Sequence, residues 1–254
     1  MLRFELITFT FAFLFVTMSP AADFTENRQI VVVVTDAWKS IHGKLVCFEK
    51  NEGQWKPVIE NVDVTVGKSG LGVGIGLHGK KLKGTRKKEG DGKAPAGVFP
   101  LESGFGAKPL SLKRFSYFQS DANDRWVDDP DSRFYNHWVK VPGPNSRKDY
   151  KYVIKDWKSA ESMTLASGLY DHVIVVGHNR ETPVEKGGGS AIFMHAWKSP
   201  GSPTVGCTAM EKETVKRILE WLKTSSHPVL VQVPKSEIRK VNLPAAIESR
   251  FVAK

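Results

Sequence analysis

Gly187-Gly188-Gly189-Ser190-Ala191-Ile192-Phe193-Met194-His195-Ala196-Trp197-Lys198-Ser199-Pro200-Gly201-Ser202-Pro203-Thr204-Val205-Gly206-Cys207-Thr208-Ala209-Met210 is the stretch from which both the fold and the chemistry of this chain can be read. Ser190 to His195 reads as a strand that delivers His195 to its end. Pro200, Gly201 and Pro203 then turn the chain back sharply. Gly206 permits close backbone approach, and the amides around Cys207 are placed to donate to a developing oxyanion. A thiol is a good nucleophile only as thiolate, and a nearby imidazole is the usual means of making it one. His195 is therefore the group expected to lower the Cys207 pKa, and the pair points to acyl transfer through a thioester.

Outward from this stretch, strand signals dominate. Ile30–Thr35 is a β-branched run, while Lys44–Phe48 and Val58–Val66 alternate. Further strands are expected at Val98–Leu101, Trp138–Val141, His172–Val176, Ala191–His195 and Val229–Val233. Gly67–Gly79 and the basic run Lys80–Lys93 read as a long loop or irregular hairpin. A helix is expected over Glu211–Ser225, where Val215, Ile218, Leu219 and Leu222 share one face and Pro228 lies beyond the end. Ser159–Leu169 is a second, shorter helix candidate, and Lys235–Lys254 reads as a weakly helical surface tail. No internal repeat or linker divides the chain, so a single mainly β domain with a few helices is expected.

At the N-terminus, Arg3 precedes an apolar run from Leu6 to Met18 and the small residues Ser19 and Ala21. That run is shorter than the roughly 20 residues a membrane-spanning helix needs. Residues 1–21 are therefore read as an export signal and residues 22–254 as the mature chain, with no transmembrane segment. The expected location is the periplasm or cell-wall space; an uncleaved anchor is the alternative. The net charge of +10 favours contact with an anionic cell-wall polymer, or else only solvates the surface. No nucleic-acid motif accompanies the basic run.

Cys47 and Cys207 are the two cysteines. In an exported chain a disulfide between them is an open alternative to a free nucleophile. Convergence of His178, His195 and Cys207 on zinc lacks any paired-ligand spacing, so neither a metal nor a cofactor is expected. Gly74-Ile75-Gly76-Leu77-His78-Gly79 spells G-x-G-x-x-G, but no helix pattern follows, which excludes a dinucleotide site. These glycines are expected to serve turns and a flexible flap. Asp128 and Asp129 before Pro130 either bind a substrate amine or cap a turn. His178 either lines the cleft or is a satisfied structural histidine. Arg86 and Asp91 are also placed provisionally at the cleft.

The His195 block followed by Pro203-Thr204-Val205-Gly206-Cys207 resembles the YkuD-type L,D-transpeptidase motif of a histidine, a spacer and Ser/Thr-x-Gly-Cys. Residues 89–99, 127–136, 159–163 and 175–179 resemble one branch of that family, and the motif-bearing region spans about 60–233. The resemblance implies a sandwich-like catalytic domain with a helix after the cysteine. It implies a substrate, the tetrapeptide stems of peptidoglycan, cleaved between the diamino acid and the terminal D-alanine. It further implies Cys207 as nucleophile, His195 as base and acid, and the amides of Gly206 and Cys207 as the oxyanion site. Val205 stands where the best-known members have a second histidine, and Ala209 where asparagine or arginine is frequent. These departures leave open an L,D-carboxypeptidase that uses water on the same thioester. A non-catalytic wall-binding protein is the rival outside enzymes.

Overall fold

The computed structural model describes residues 22–79, 81–141 and 155–252; the expected signal, residues 1–21, lies outside the described residues. Thirteen strands dominate. They are β1 (Gln29–Thr35), β2 (His42–Asn51), β3 (Gln54–Thr65), β4 (Leu71–Val73), β5 (Ala94–Gly106), β6 (Tyr117–Gln119), β7 (Asp124–Val127), β8 (Trp138–Lys140), β9 (Ala160–Ser162), β10 (Val173–Val176), β11 (Phe193–Ala196), β12 (Thr208–Met210) and β13 (Val229–Pro234). Helix α1 covers Lys212–Trp221 and the short α2 covers Ala245–Glu248.

The large sheet has ten strands and runs β10-β11-β12-β3-β2-β1-β13-β5-β4, with β6 also on β5. An added antiparallel pairing of β10 with β5 joins its two ends, so the sheet curls onto itself. β1 lies near the middle, antiparallel to β2 and parallel to β13. Its valine run is buried on both faces, which is why it is continuous rather than alternating. β2 and β3 form a hairpin whose turn residues, Glu52 and Gly53, both have positive φ; that matches the twist of the flanking strands. The second sheet has three strands in the order β8-β7-β9.

Two apolar clusters fill the layers. The larger contains Ile30, Phe48, Phe99, Met194, Leu230 and the buried face of α1 (Val215, Ile218, Leu219). The smaller lies between β10–β11 and the three-stranded sheet, and holds Phe105, Trp126, Met163, Tyr170, Phe193 and Cys207. Phe193 is its hub, meeting Trp126 and Phe105 edge-on at 5.0 and 5.2 Å. The product is the mainly β domain that the strand runs predict, with the sandwich-like form that the family resemblance implies.

Four expectations need correction. Ser159–Leu169 is not a helix: Ala160–Ser162 pairs with β7 as β9, and a turn follows. The Ser162 hydroxyl donates to the Thr164 carbonyl at 3.0 Å, an alternative to helical bonding that serine readily offers. Gly67–Gly79 is not simply loop, because Leu71–Val73 pairs in parallel with β5. Nor are its glycines a flap: a Cβ on Gly76 would lie 2.4 Å from the Val98 carbonyl, so close packing against β5 explains it. The C-terminal segment is not a surface tail, since Ile238, Val241, Leu243 and Ile247 are buried in the larger cluster. Ile247→Ala is therefore expected to cost about 2–5 kcal/mol, as for other large-to-small core changes. Chemical denaturation checks this; a midpoint unchanged from the parent chain contradicts the packing.

Candidate active site

β11 and β12 run parallel, with Met194 opposite Thr208 and His195 opposite Ala209. Side chains alternate across a strand, so Phe193 and His195 share one face. Cys207, two residues before Ala209, joins that face as the chain enters β12. The crossover 197–207 folds over the strand ends. Its Thr204 exchanges backbone bonds with Val66 and Lys68. The Thr204 hydroxyl accepts the Gly206 N–H at 3.1 Å and donates to the Cys207 carbonyl at 2.7 Å, bracing the turn before the cysteine.

His195 and Cys207 are 7% and 5% exposed, and both line a cavity of about 740 Å³. Tyr170, Ala191, Ile192 and Trp197 supply apolar wall, Lys68, Lys87 and Lys198 bring cationic groups, and Glu89, Asp128 and Glu161 bring acidic ones. The Cys207 thiol donates to the Ala191 carbonyl at 3.4 Å. His195 Nδ1 lies 2.7 Å from the Ala196 carbonyl. A carbonyl only accepts, so Nδ1 carries the proton and Nε2 is left with its lone pair. Tyr170 packs edge-on to the imidazole, with ring centres 5.3 Å apart.

The electrostatics do not favour a preformed ion pair. Burial pushes the Cys207 thiol well up, and the Glu161 carboxylate adds to this; the Phe193 amide and the Lys87 ammonium oppose it only in part. Burial likewise holds the His195 imidazole below the ordinary histidine value. Burial thus disfavours the charged form of each group. Glu161 is the acidic wall's perturbed member, pushed up to about 7 by burial and by Asp128 and Glu89, against the hydrogen bond it accepts from Tyr170.

The remaining sequence candidates divide. Asp128 lines the cavity, and its Oδ1 is buried with no hydrogen-bond partner among the described residues. Gly206 also lines it. Asp129 does not: it accepts the Lys158 and Asp131 amides at 2.7 and 3.0 Å, capping the turn, and those bonds hold its carboxyl below the usual range. His178 is likewise outside the lining, with Nδ1 accepting the Ile75 amide at 3.1 Å and Nε2 donating to the Gly188 carbonyl at 3.0 Å. Burial, reinforced by the Lys87 and His78 charges, lowers its pKa to about 3 despite those bonds, so it is a neutral structural brace. Arg86 pairs with Glu185 on the exterior rather than facing the cavity. Asp91 acts one step back, holding the Lys87 ammonium at 2.7 Å.

Sequence reading missed Lys87, Glu89, Glu161 and Tyr170. Glu161 lay within a segment expected to be helical, and Lys87 within an apparently solvated basic run. It also missed the polar staples. Asn136 Oδ1 accepts from Trp126 Nε1 (2.9 Å) and the Ala191 amide (3.2 Å), and its Nδ2 donates to the carbonyls of His178 and Asn179. Tyr135 donates to Glu89 at 2.5 Å and accepts the Gly189 amide at 3.0 Å. The block 127–136 had signalled a family likeness without revealing this bracing role.

Both cysteines are free, Cys47 being buried in β2, so the alternative of a Cys47–Cys207 bridge is not realised. Among the described residues, no three His, Cys, Asp or Glu side chains cluster as metal ligands, and no helix is long and apolar enough to cross a membrane. Because the Glu161 charge raises the thiol pKa, Glu161→Gln is expected to move the pH profile of Cys207 alkylation by iodoacetamide to lower pH. A profile unmoved or shifted to higher pH contradicts the electrostatic coupling.

The family model for the L,D-transpeptidase catalytic domain, YkuD, matches residues 29–231. No curated protein matches the chain. Among solved structures, the chain is similar to the helical cell shape determining protein Pgp2 from Campylobacter jejuni, at 14% identity and a TM-score of 0.37. That similarity covers 82% of this chain and 48% of the other, so the chain spans about half of that protein's length. The family match extends over most of the sequence and contains both His195 and Cys207: the chain belongs to the YkuD family of L,D-transpeptidase catalytic domains.

Proposed function

We propose that residues 22–254 form a single catalytic domain, exported by the signal 1–21, that transfers peptidoglycan stem peptides through a thioester on Cys207. The observation that carries this reading is the presentation of Cys207 and His195 from neighbouring parallel strands into one cavity. The neutral thiol attacks the carbonyl between the diamino acid and the terminal D-alanine. As the carbon–sulfur bond forms, the thiol proton passes to His195 Nε2 and the carbonyl electron pair moves to oxygen. Collapse of the tetrahedral adduct expels the D-alanine amine, which takes that proton. The amine of a second stem then attacks the thioester carbon and loses a proton to His195; the carbon–sulfur bond breaks, and the departing sulfur takes that proton back to restore the thiol.

Coupling proton loss to attack suits a pair whose charged forms burial disfavours. On the opposite wall, Asp128 Oδ1 lacks a partner, and an ammonium of the diamino acid would satisfy it, with Glu161 beside it. The second reading is an L,D-carboxypeptidase, in which water resolves the thioester. Val205 favours it: 74% exposed at the cavity, it offers no polar group to steer an acceptor amine.

Intact-mass measurement after incubation with a tetrapeptide stem tests the reaction class. The expected result is an increment on Cys207 equal to the stem without D-alanine, and none in Cys207→Ala. No increment on the parent chain would reject acyl transfer and leave a wall-binding role. With acceptor stems present, cross-linked dimers support transfer and trimmed tripeptides support hydrolysis. His195→Ala should slow acylation by about 10²–10⁴-fold, the usual range for losing a general base. An unchanged rate would remove His195 from the mechanism.

A further inference from the structure

Lys87 sits in the basic run, yet it is only 3% exposed. Its Nζ donates to Asp91 Oδ1 at 2.7 Å and to the Lys88 carbonyl at 2.9 Å. An ammonium has three N–H donors. Among the described residues the third finds no acceptor, and the side chain forms part of the cavity wall that holds Cys207. Gly189 makes room for it, since a Cβ there would stand 3.1 Å from Lys87 Cε. A Cβ on Gly206 would stand 3.9 Å from Nζ, an ordinary contact distance that places the ammonium beside that residue. A fixed cation thus flanks the backbone immediately ahead of the thiol.

The neighbouring amide donor is already engaged. The Gly206 N–H, expected from sequence to stabilise an oxyanion, is directed to Thr204 Oγ1, and that same hydroxyl ties down the Cys207 carbonyl. Freeing the amide would undo the brace that shapes the turn. Of the expected pair of amides this leaves the Cys207 N–H for a negative oxygen forming at this point, and Lys87 is the charged group beside Gly206 with a donor to add to it.

We infer that the Lys87 ammonium is a catalytic residue that donates to the oxyanion generated when Cys207 attacks the substrate carbonyl. The inference rests on the acyl-transfer reading and adds a residue to it. Asp91 is the positioning residue. Burial pushes the Asp91 carboxyl up, but the Lys87 bond and the amides of Lys88 and Lys93 outweigh this and keep it ionised. The cation is therefore held in place before the reaction begins, and it meets its full partner only as the carbonyl oxygen becomes negative. A charge arranged in that way favours the transition state over the ground state.

The test compares two reactions of the same sulfur in the full chain: acylation by a tetrapeptide stem, which passes through an oxyanion, and alkylation by iodoacetamide, which does not. Lys87→Met is measured alongside Lys87→Met/Asp91→Asn, which also removes the carboxylate left unpaired and so guards against misfolding. In both variants acylation should fall about 10²–10³-fold, the usual loss for one oxyanion donor, while alkylation falls far less. The loss should be the same for stems ending in a carboxylate and in a carboxamide. Equal losses in acylation and alkylation would overturn the inference, since Lys87 would then act only through the thiol or the fold. A loss confined to carboxylate-ended stems would overturn it too, making Lys87 a receptor for the peptide terminus. A parent chain that is alkylated but never acylated refutes acyl transfer itself, and this inference with it.

Discussion

Met194 facing Thr208 and His195 facing Ala209 across one parallel ladder is the constraint on which the site depends. Parallel neighbours need a crossover, which usually takes a dozen residues or more and often a helix. Here residues 197–207 make it as a loop that stays at the strand ends and becomes cavity wall. The proline- and glycine-rich composition of that loop follows from this geometry, as does the Thr204 brace. Loss of the pairing would separate the imidazole from the thiol even if both residues kept their local conformations.

The same pairing fixes the electrostatics. Cys207 lies in an apolar cluster with Phe193 and Tyr170, and His195 is covered by the Tyr170 ring. Taking either side chain out of water penalises its charged form, so burial moves the thiol up and the imidazole down. These surroundings favour neither charged form. The carboxylates and ammonium groups stand on the walls instead, where Tyr135, Ser190, Tyr170 and Asp91 hold them.

Much of the fold was legible because its strands are buried on one or both faces. The valine run of β1 and the alternation of β2 and β3 are direct consequences of where water is excluded. α1 was equally plain, with Val215, Ile218 and Leu219 on its buried face. Several of the short strands were not. β4, β7, β9 and β12 are 3 or 4 residues each, too brief for a period to register, and they are fixed by partners distant in sequence. The C-terminal segment misled for the opposite reason: its Ile238, Val241 and Ile247 are spaced too irregularly for one helix face, yet each reaches the core through a turn. At the site, Cys207 and His195 stood out by chemistry and spacing. Lys87 did not, because the backbone it packs against, at Gly189, is more than a hundred residues away.

The cavity is best understood as a seam between two sheets. The thiol and imidazole belong to the large sheet, whereas Asp128 follows β7 and Glu161 lies in β9 of the small one. The seam's width sets whether one substrate can touch both walls. It is held by buried polar staples rather than by apolar contact alone. Asn136 joins Trp126 on the small sheet to the backbone at 178, 179 and 191, and Arg180 stacks on the same indole at 4.9 Å while donating to the Asn136 carbonyl. Directional bonds fix a spacing more narrowly than greasy surfaces, because an unsatisfied buried amide costs about 1–3 kcal/mol while sliding apolar groups costs little. The residues that follow Asp128 thus brace the seam from both sides: Tyr135 joins Glu89 to the Gly189 amide, and Asn136 joins Trp126 to the backbone of the large sheet's side.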